Sequence, residues 1–211
     1  MPSRSPNRTT SSDGCPTAVL QLPHTWLASL PFWSAGLWAF SAELRFVGGS
    51  RRRSRQDAGS TRVIYLAGLI AVIGAFSMAT GWPASMMTLR RLPLYLAGIA
   101  CLIAGGLLRR HCFAMLGSRF TYVVQATPGQ TVVEQGAYKY VRHPSYTAGL
   151  LLYGGIGLAL GNWASLAFSV IPLALAYSYR IAVEERALVQ TIGAPYSEYM
   201  KRTNRLIPYV L

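Results

Sequence analysis

Carboxylates are scarce in this chain. Seven Asp and Glu stand against 20 Lys and Arg, and charged residues of both signs make up 13% of the sequence. With 52% hydrophobic residues beside them, that is too little polar surface to cover a water-soluble core, so an integral membrane protein is the better expectation. Cysteine is limited to Cys15, Cys101 and Cys112, an odd set with no C-x-x-C pair, which argues against a disulfide framework and against a zinc site. There is no G-x-S-x-G, no H-E-x-x-H, no cluster of Cys and His, and no glycine-rich strand-to-helix loop for a dinucleotide. Hydrolysis by those routes drops out, and no metal is expected. The opening stretch "MPSRSPNRTTSSDGCPT" has no apolar centre and no small-residue cleavage pattern, which predicts a disordered tail over residues 1–17 rather than a signal peptide.

Five apolar runs fill most of the remainder, at 27–46, 63–81, 92–108, 146–160 and 163–179. At ~1.5 Å rise per residue the longer runs can cross a hydrocarbon layer of ~30 Å, and the shorter ones can do so with flanking residues. The fold class expected is an all-α integral membrane protein of about five transmembrane helices. Placing the "RRRSRQ" loop, the segment after the third run and the carboxyl-terminal tail on one side gathers all 20 basic residues except Arg4, Arg8, Arg90 and Arg91. This positive-inside asymmetry predicts a cytoplasmic carboxyl terminus and an outside amino terminus. Topology thus accounts for the net charge of +13, and no nucleic-acid partner is expected.

Only Gly161 and Asn162 join the fourth and fifth runs, which predicts a tight antiparallel hairpin with Gly161 in the turn. Gly149, Gly154, Gly155 and Gly157 are expected to let helix backbones approach closely. Residues 109–142 form the longest polar segment, in which "VVQATPGQTVVEQGAYKY" reads as short extended pieces broken by Pro128-Gly129, with a turn at Gly136. A second polar stretch, 180–211, starts as a helix through "RIAVEERALVQTIG" and stops at Gly193 and Pro195.

Arg180 and Glu184 lie four apart and share a helix face at the end of the fifth run. They can be a plain structural pair, or functional groups, since ionisable residues near membrane depth are costly. His143 can serve as ligand, base or structural histidine. Pro144 suits a helix start, and the free N–H groups of that helix end would face the region of Arg142, His143 and Tyr146, where a carboxylate or phosphate could sit. Lys139 and Arg142 read equally well as anchors at the cytoplasmic surface. Arg, His, Glu, Tyr and Gln around a helix end suit the holding of a cofactor and an anion.

Three pieces occur in a telling order: "GAYKYVRHPSY" (Gly136 to Tyr146) followed by a helical hairpin, then "RIAVEE" (Arg180 to Glu185), then "GAPYSEYMKRTNRLIP" (Gly193 to Pro208). In these the chain resembles the isoprenylcysteine carboxyl methyltransferase family, including its bacterial and archaeal members. The resemblance implies S-adenosylmethionine as methyl donor, held on the cytoplasmic side by Gln125, Gln130, Thr131, Val132, Val133, Tyr138, His143, Pro144, Ser145, Tyr146 and Glu184. Arg180 matches the family arginine that holds the substrate carboxylate and is the catalytic candidate. The implied acceptor is a lipophilic carboxylate such as a prenylated cysteine, entering from the bilayer among membrane lipids. The implied layout is transmembrane helices 1–3 over 18–108 and a methyltransferase core over 109–211, comprising the cofactor loop, the hairpin and the helical tail. A short, Arg-rich chain without an endoplasmic-reticulum retention signal suggests a bacterial-type member in the inner (plasma) membrane. Alternatives are a phospholipid or amine N-methyltransferase, an NADPH-dependent sterol-type membrane reductase, or a non-catalytic membrane protein.

Overall fold

A computed structural model of the chain describes residues 26–47, 57–117 and 131–207. The sequence expectations for the 1–17 tail, the Pro128-Gly129 turn, Gln125 and Gln130 fall outside the described residues. Six α-helices account for most of the rest: α1 (Trp26–Val47), α2 (Ser60–Gly81), α3 (Arg91–Leu116), α4 (Pro144–Leu160), α5 (Trp163–Ile192) and α6 (Ala194–Arg202).

Two helices outrun the apolar runs that predicted them. α3 continues through "RRHCFAML" to Leu116, so the polar segment after the third apolar run begins as helix. It ends at Gly117, whose φ of 52° takes the chain out of the helix. α5 does not break where its apolar part ends at Tyr179 but runs unbroken for 30 residues. Nothing in "RIAVEERALVQTI" opposes a helix until Gly193, which stands at φ 76° and separates α5 from α6.

α2, α3 and α5 are long and apolar enough to cross a membrane. Their outward faces carry an exposed apolar surface, including Leu66, Leu69, Ile70, Leu96, Ile171 and Leu175, of a kind water would not tolerate. α4 has 17 residues, about 26 Å at the α-helical rise, just under the hydrocarbon thickness.

The hairpin forms as its two-residue link requires. Gly161 takes the left-handed conformation (φ 63°), and the Asn162 side chain accepts from Ser165 N–H at 2.9 Å, capping α5. Asn162 also donates to the Trp82 carbonyl (3.1 Å) and accepts from Ser85 Oγ (2.9 Å), tying this end of the hairpin to the end of α2. α3 packs along α4, α2 along α5, and α1 along α3. The α3–α4 contact is close because Gly98 faces Gly155: a Cβ on Gly98 would stand 2.6 Å from the Gly155 carbonyl oxygen, and one on Gly155 would stand 2.7 Å from the Gly98 carbonyl oxygen. Leu102, Leu152 and Leu173 fill the interior.

At the opposite end of the bundle the carboxyl-terminal segment folds back onto the start of α4. Arg142 N–H donates to the Asn204 carbonyl at 2.8 Å, and His143 N–H to the Arg205 carbonyl at 3.0 Å. Thr147 Oγ1 donates to the Leu206 carbonyl at 2.6 Å. The entry to α4 is thereby fixed against residues 204–206.

Candidate active site

The residues before α4 set the site's floor. Gly136, at φ 57°, opens a 3-10 turn over Gly136–Lys139 that turns Tyr138 into the interior. Tyr138 is buried, and its carbonyl accepts from the Tyr199 hydroxyl at 2.6 Å, so α6 braces the turn. Both phenols lie outside the membrane spans and are shifted upward chiefly by burial, Tyr199 to about 12, so both remain neutral donors at neutral pH. Thr131, Val132 and Val133 lead into this turn without regular secondary structure, with Thr131 exposed and the valines half-buried.

Pro144 occupies the first turn of α4 and is buried. Ser145 contributes its carbonyl, which accepts from Arg109 Nη1 at 2.8 Å. The N–H groups of Tyr146 (3.0 Å) and Thr147 (3.4 Å) both close on the His143 carbonyl. The helix start therefore spends these donors internally and is a poorer anion cradle than its sequence suggested.

Tyr146 links the two motifs. Its hydroxyl donates to Glu184 Oε2 at 2.7 Å and accepts from Arg180 Nε at 3.2 Å. Its ring stacks between His143, at 5.6 Å, and Tyr177, at 4.8 Å. His143 is buried, with Nδ1 3.8 Å from Glu184 Oε2 and Nε2 3.4 Å from Glu185 Oε1. Glu184 keeps 31% of its side chain exposed, which makes it the member of this group that a bound molecule can reach from solvent.

Arg180 and Glu184 share a helix face as expected, but Tyr146 stands between them. The ion-pair partner of Arg180 is Asp57, with Nη1 2.5 Å from Oδ1. The same nitrogen donates to Ser60 Oγ and Thr61 Oγ1, each at 2.8 Å. Arg180 is 4% exposed, so its charge is compensated inside the protein and not at a surface. Asp57 was reachable from sequence only by elimination: with seven carboxylates in the chain, each one is a candidate partner for a buried arginine.

Arg142 also departs from expectation. It is no surface anchor: Nε pairs with Glu185 Oε1 at 3.0 Å, and Nη1 donates to the Met200 carbonyl at 2.9 Å and to the Thr203 carbonyl. Arg205 binds the other oxygen of Glu185 at 3.0 Å. Glu185 thus gathers Arg142, His143 and Arg205 and locks the carboxyl-terminal segment to α5. Lys139 remains exposed. Of the sequence candidates, the fold brings Tyr146, Arg180 and Glu184 into one hydrogen-bonded group with His143 stacked on Tyr146, Tyr138 and Ser145 in its wall and Thr131 to Val133 on its approach. Among the described residues no three His, Cys, Asp or Glu side chains converge as metal ligands.

Known proteins resemble this chain in sequence and in fold. Residues 98–190 match the model of the isoprenylcysteine carboxyl methyltransferase (ICMT) family. The chain is 33% identical over 115 residues to the protein-S-isoprenylcysteine O-methyltransferase of Schizosaccharomyces pombe, covering 54% of this chain and 48% of that protein. Against the enzyme of the same name from Dictyostelium discoideum it is 30% identical over 131 residues, 57% of this chain and 52% of the relative. The Arabidopsis thaliana form B is 32% identical over 116 residues, covering 54% and 58% respectively. The chain thus spans about half the length of the curated relatives it matches. Its fold is similar to that of a solved eukaryotic intramembrane Ras methyltransferase, ICMT, with a TM-score of 0.59 and 22% identity over 87% of this chain and 64% of that one. From Gly98 in α3 to Gln190 in α5, the stretch that carries Tyr146, Arg180 and Glu184, this chain matches the isoprenylcysteine carboxyl methyltransferase family.

Proposed function

We propose that this protein is a membrane-embedded, S-adenosylmethionine-dependent carboxyl O-methyltransferase whose acceptor is a lipophilic carboxylate such as a prenylated cysteine. The observation that carries this reading is the chain Glu184–Tyr146–Arg180, assembled from two separate motifs where the apolar part of α5 ends. Catalysis, cofactor binding by the region from Gln125 to Tyr146, and a methyltransferase core over 109–211 are parts of the same proposal.

The donor set fits the cofactor. Glu184 offers a partly exposed carboxylate to hydroxyl or ammonium donors, and the Tyr146 and Tyr177 rings give a cation an aromatic neighbourhood. When bound, S-adenosylmethionine supplies an activated methyl group on a sulfonium. The protein's own task is then placement. A carboxylate acceptor with a pKa near ~3.5 is already an anion at neutral pH, so no side chain has to remove a proton. Arg180 would hold that anion through Nη2 while Asp57 holds Nη1 and Tyr146 holds Nε, a division of the planar guanidinium that lysine cannot reproduce. Correct placement alone can supply up to ~7–11 kcal/mol of the barrier reduction. His143, wedged between Glu184 and Glu185, keeps both carboxylates at fixed distances.

The apolar outer faces of α2, α3 and α5 suit an acceptor whose hydrocarbon part arrives through lipid. We extend the count to five spans by including α1 and the short α4, with the site on the cytoplasmic side where the basic residues gather. The relatives compared above are eukaryotic, so no bacterial inner-membrane assignment is made.

The test is transfer of labelled methyl from S-adenosylmethionine to a farnesylcysteine analogue by the purified full-length protein in lipid nanodiscs. The expected product is a base-labile methyl ester. Label that stays bound to an amine after base treatment would overturn the carboxylate assignment.

A further inference from the structure

We propose that Asp57 is the positioning residue for Arg180, so that the entry of α2 forms part of the acceptor-binding site. This rests on the reading of Arg180 as the carboxylate-holding residue. Three acceptors converge on one nitrogen of Arg180: Asp57 Oδ1 at 2.5 Å, Ser60 Oγ at 2.8 Å and Thr61 Oγ1 at 2.8 Å. They come from the last residue before α2 with an acidic side chain and from the helix's first two residues, 57, 60 and 61, which lie outside the matched stretch 98–190. Tyr146 holds the guanidinium from another edge, through Nε at 3.2 Å. A guanidinium gripped at Nη1 and at Nε has no torsional freedom left, and it presents one fixed orientation to an incoming carboxylate.

Asp57 is itself rigid. Ser60 Oγ (3.1 Å) and Thr61 Oγ1 (2.8 Å) donate to its Oδ1, and Thr61 N–H donates to its Oδ2 at 3.2 Å. The last of these bonds is cap-like, reaching a first-turn N–H of α2 from two residues before the N-cap Gly59. Capping and positioning make opposite demands on a substitution. A cap needs only an acceptor oxygen, which Asn supplies as well as Asp. Holding a buried guanidinium needs the negative charge, because a neutral amide leaves Arg180 buried without a counter-ion.

The experiment compares wild type, D57N, D57A and T61V as full-length protein in nanodiscs. It measures S-adenosylmethionine affinity, the affinity for the farnesylcysteine analogue by calorimetry, and kcat and KM for methyl transfer. The expected result for D57N is a loss of about tenfold or more in kcat/KM and weaker analogue binding, with cofactor affinity within about twofold of wild type. T61V, which removes one neutral acceptor and keeps the charge, should lose less, and it serves as the reporting variant if D57N does not fold. In a D57N/R180K cycle the second change should add little to the first. Wild-type turnover with D57N unimpaired and D57A impaired would assign Asp57 to capping alone and overturn this inference. A wild-type protein that neither binds nor methylates the carboxylate overturns the proposed function and this inference together.

Discussion

Glu185 is buried and bound by Arg142, His143 and Arg205, so it holds the carboxyl-terminal segment where Glu184, one residue earlier, serves the site. Glu185→Gln leaves Arg142 buried without a counter-ion and should cost on the order of 3 kcal/mol, discounted from larger buried-pair values because Arg205 is exposed. The check is a thermal melt together with faster amide exchange over residues 203–206. Glu184→Gln should leave the melt nearly unchanged and weaken S-adenosylmethionine binding, measured by calorimetry. Tyr146→Phe keeps the ring stack but removes the hydroxyl that joins Arg180 to Glu184, so methyl transfer should fall with the fold intact. Tyr199 gives a pH prediction. Its folded pKa of about 12 exceeds the ordinary 10.0, so the neutral phenol's contribution is fully present below pH 10 and is lost as pH rises from 10 through 12. Tyr199→Phe should flatten that part of the alkaline stability profile. The residues of this group were only half legible in the sequence. Arg180, Glu184, His143 and Tyr146 stand in motifs, whereas Asp57 lies 123 residues from Arg180, and no local spacing announces the pair.

Helix contacts make sharper demands than the glycine count suggests. Gly154 and Gly155 are neighbours in sequence, yet a Cβ on Gly154 would meet Val170 Cγ2 at an ordinary 3.6 Å, while one on Gly155 would meet the Gly98 carbonyl oxygen at 2.7 Å. Gly154→Ala should therefore change the melting temperature little, and Gly155→Ala should lower it by the equivalent of about 1–3 kcal/mol of overpacking. Thermal melts of both variants in one detergent check this. The sequence made the hairpin and its Gly161-Asn162 link readable because two residues leave no other connection. It marked the end of α5 at Gly193 but not the extension of α3 as far as Gly117. Their ends are polar helix formers with no breaker before Gly117 and Gly193, and hydropathy marks the membrane part of a helix, not the helix.

The bundle as a whole divides its two ends between different tasks. One end is closed by Asn162 with Trp82 and Ser85, and the other is built from basic residues, the Arg180 group and the folded-back carboxyl terminus. The basic end should lie in the cytoplasm. A reporter fused after the last residue should be active only if it folds there, and a reporter signal from the opposite side would reverse the topology. The helical character was legible from composition and run length, and among the described residues three of the five runs lie in helices long and apolar enough to cross a membrane. A carboxylate acceptor is suggested only by the resemblance, since an arginine can hold carboxylate or phosphate alike. The proposed function depends on Arg180 as the carboxylate-orienting group. The most direct measurement is kcat/KM for a farnesylcysteine carboxylate in wild type and Arg180→Ala, in the same nanodiscs, with S-adenosylmethionine affinity taken in parallel. The expected result is a loss of about a hundredfold or more, with cofactor affinity within about twofold. Equal turnover of the carboxylate by the two proteins would contradict it.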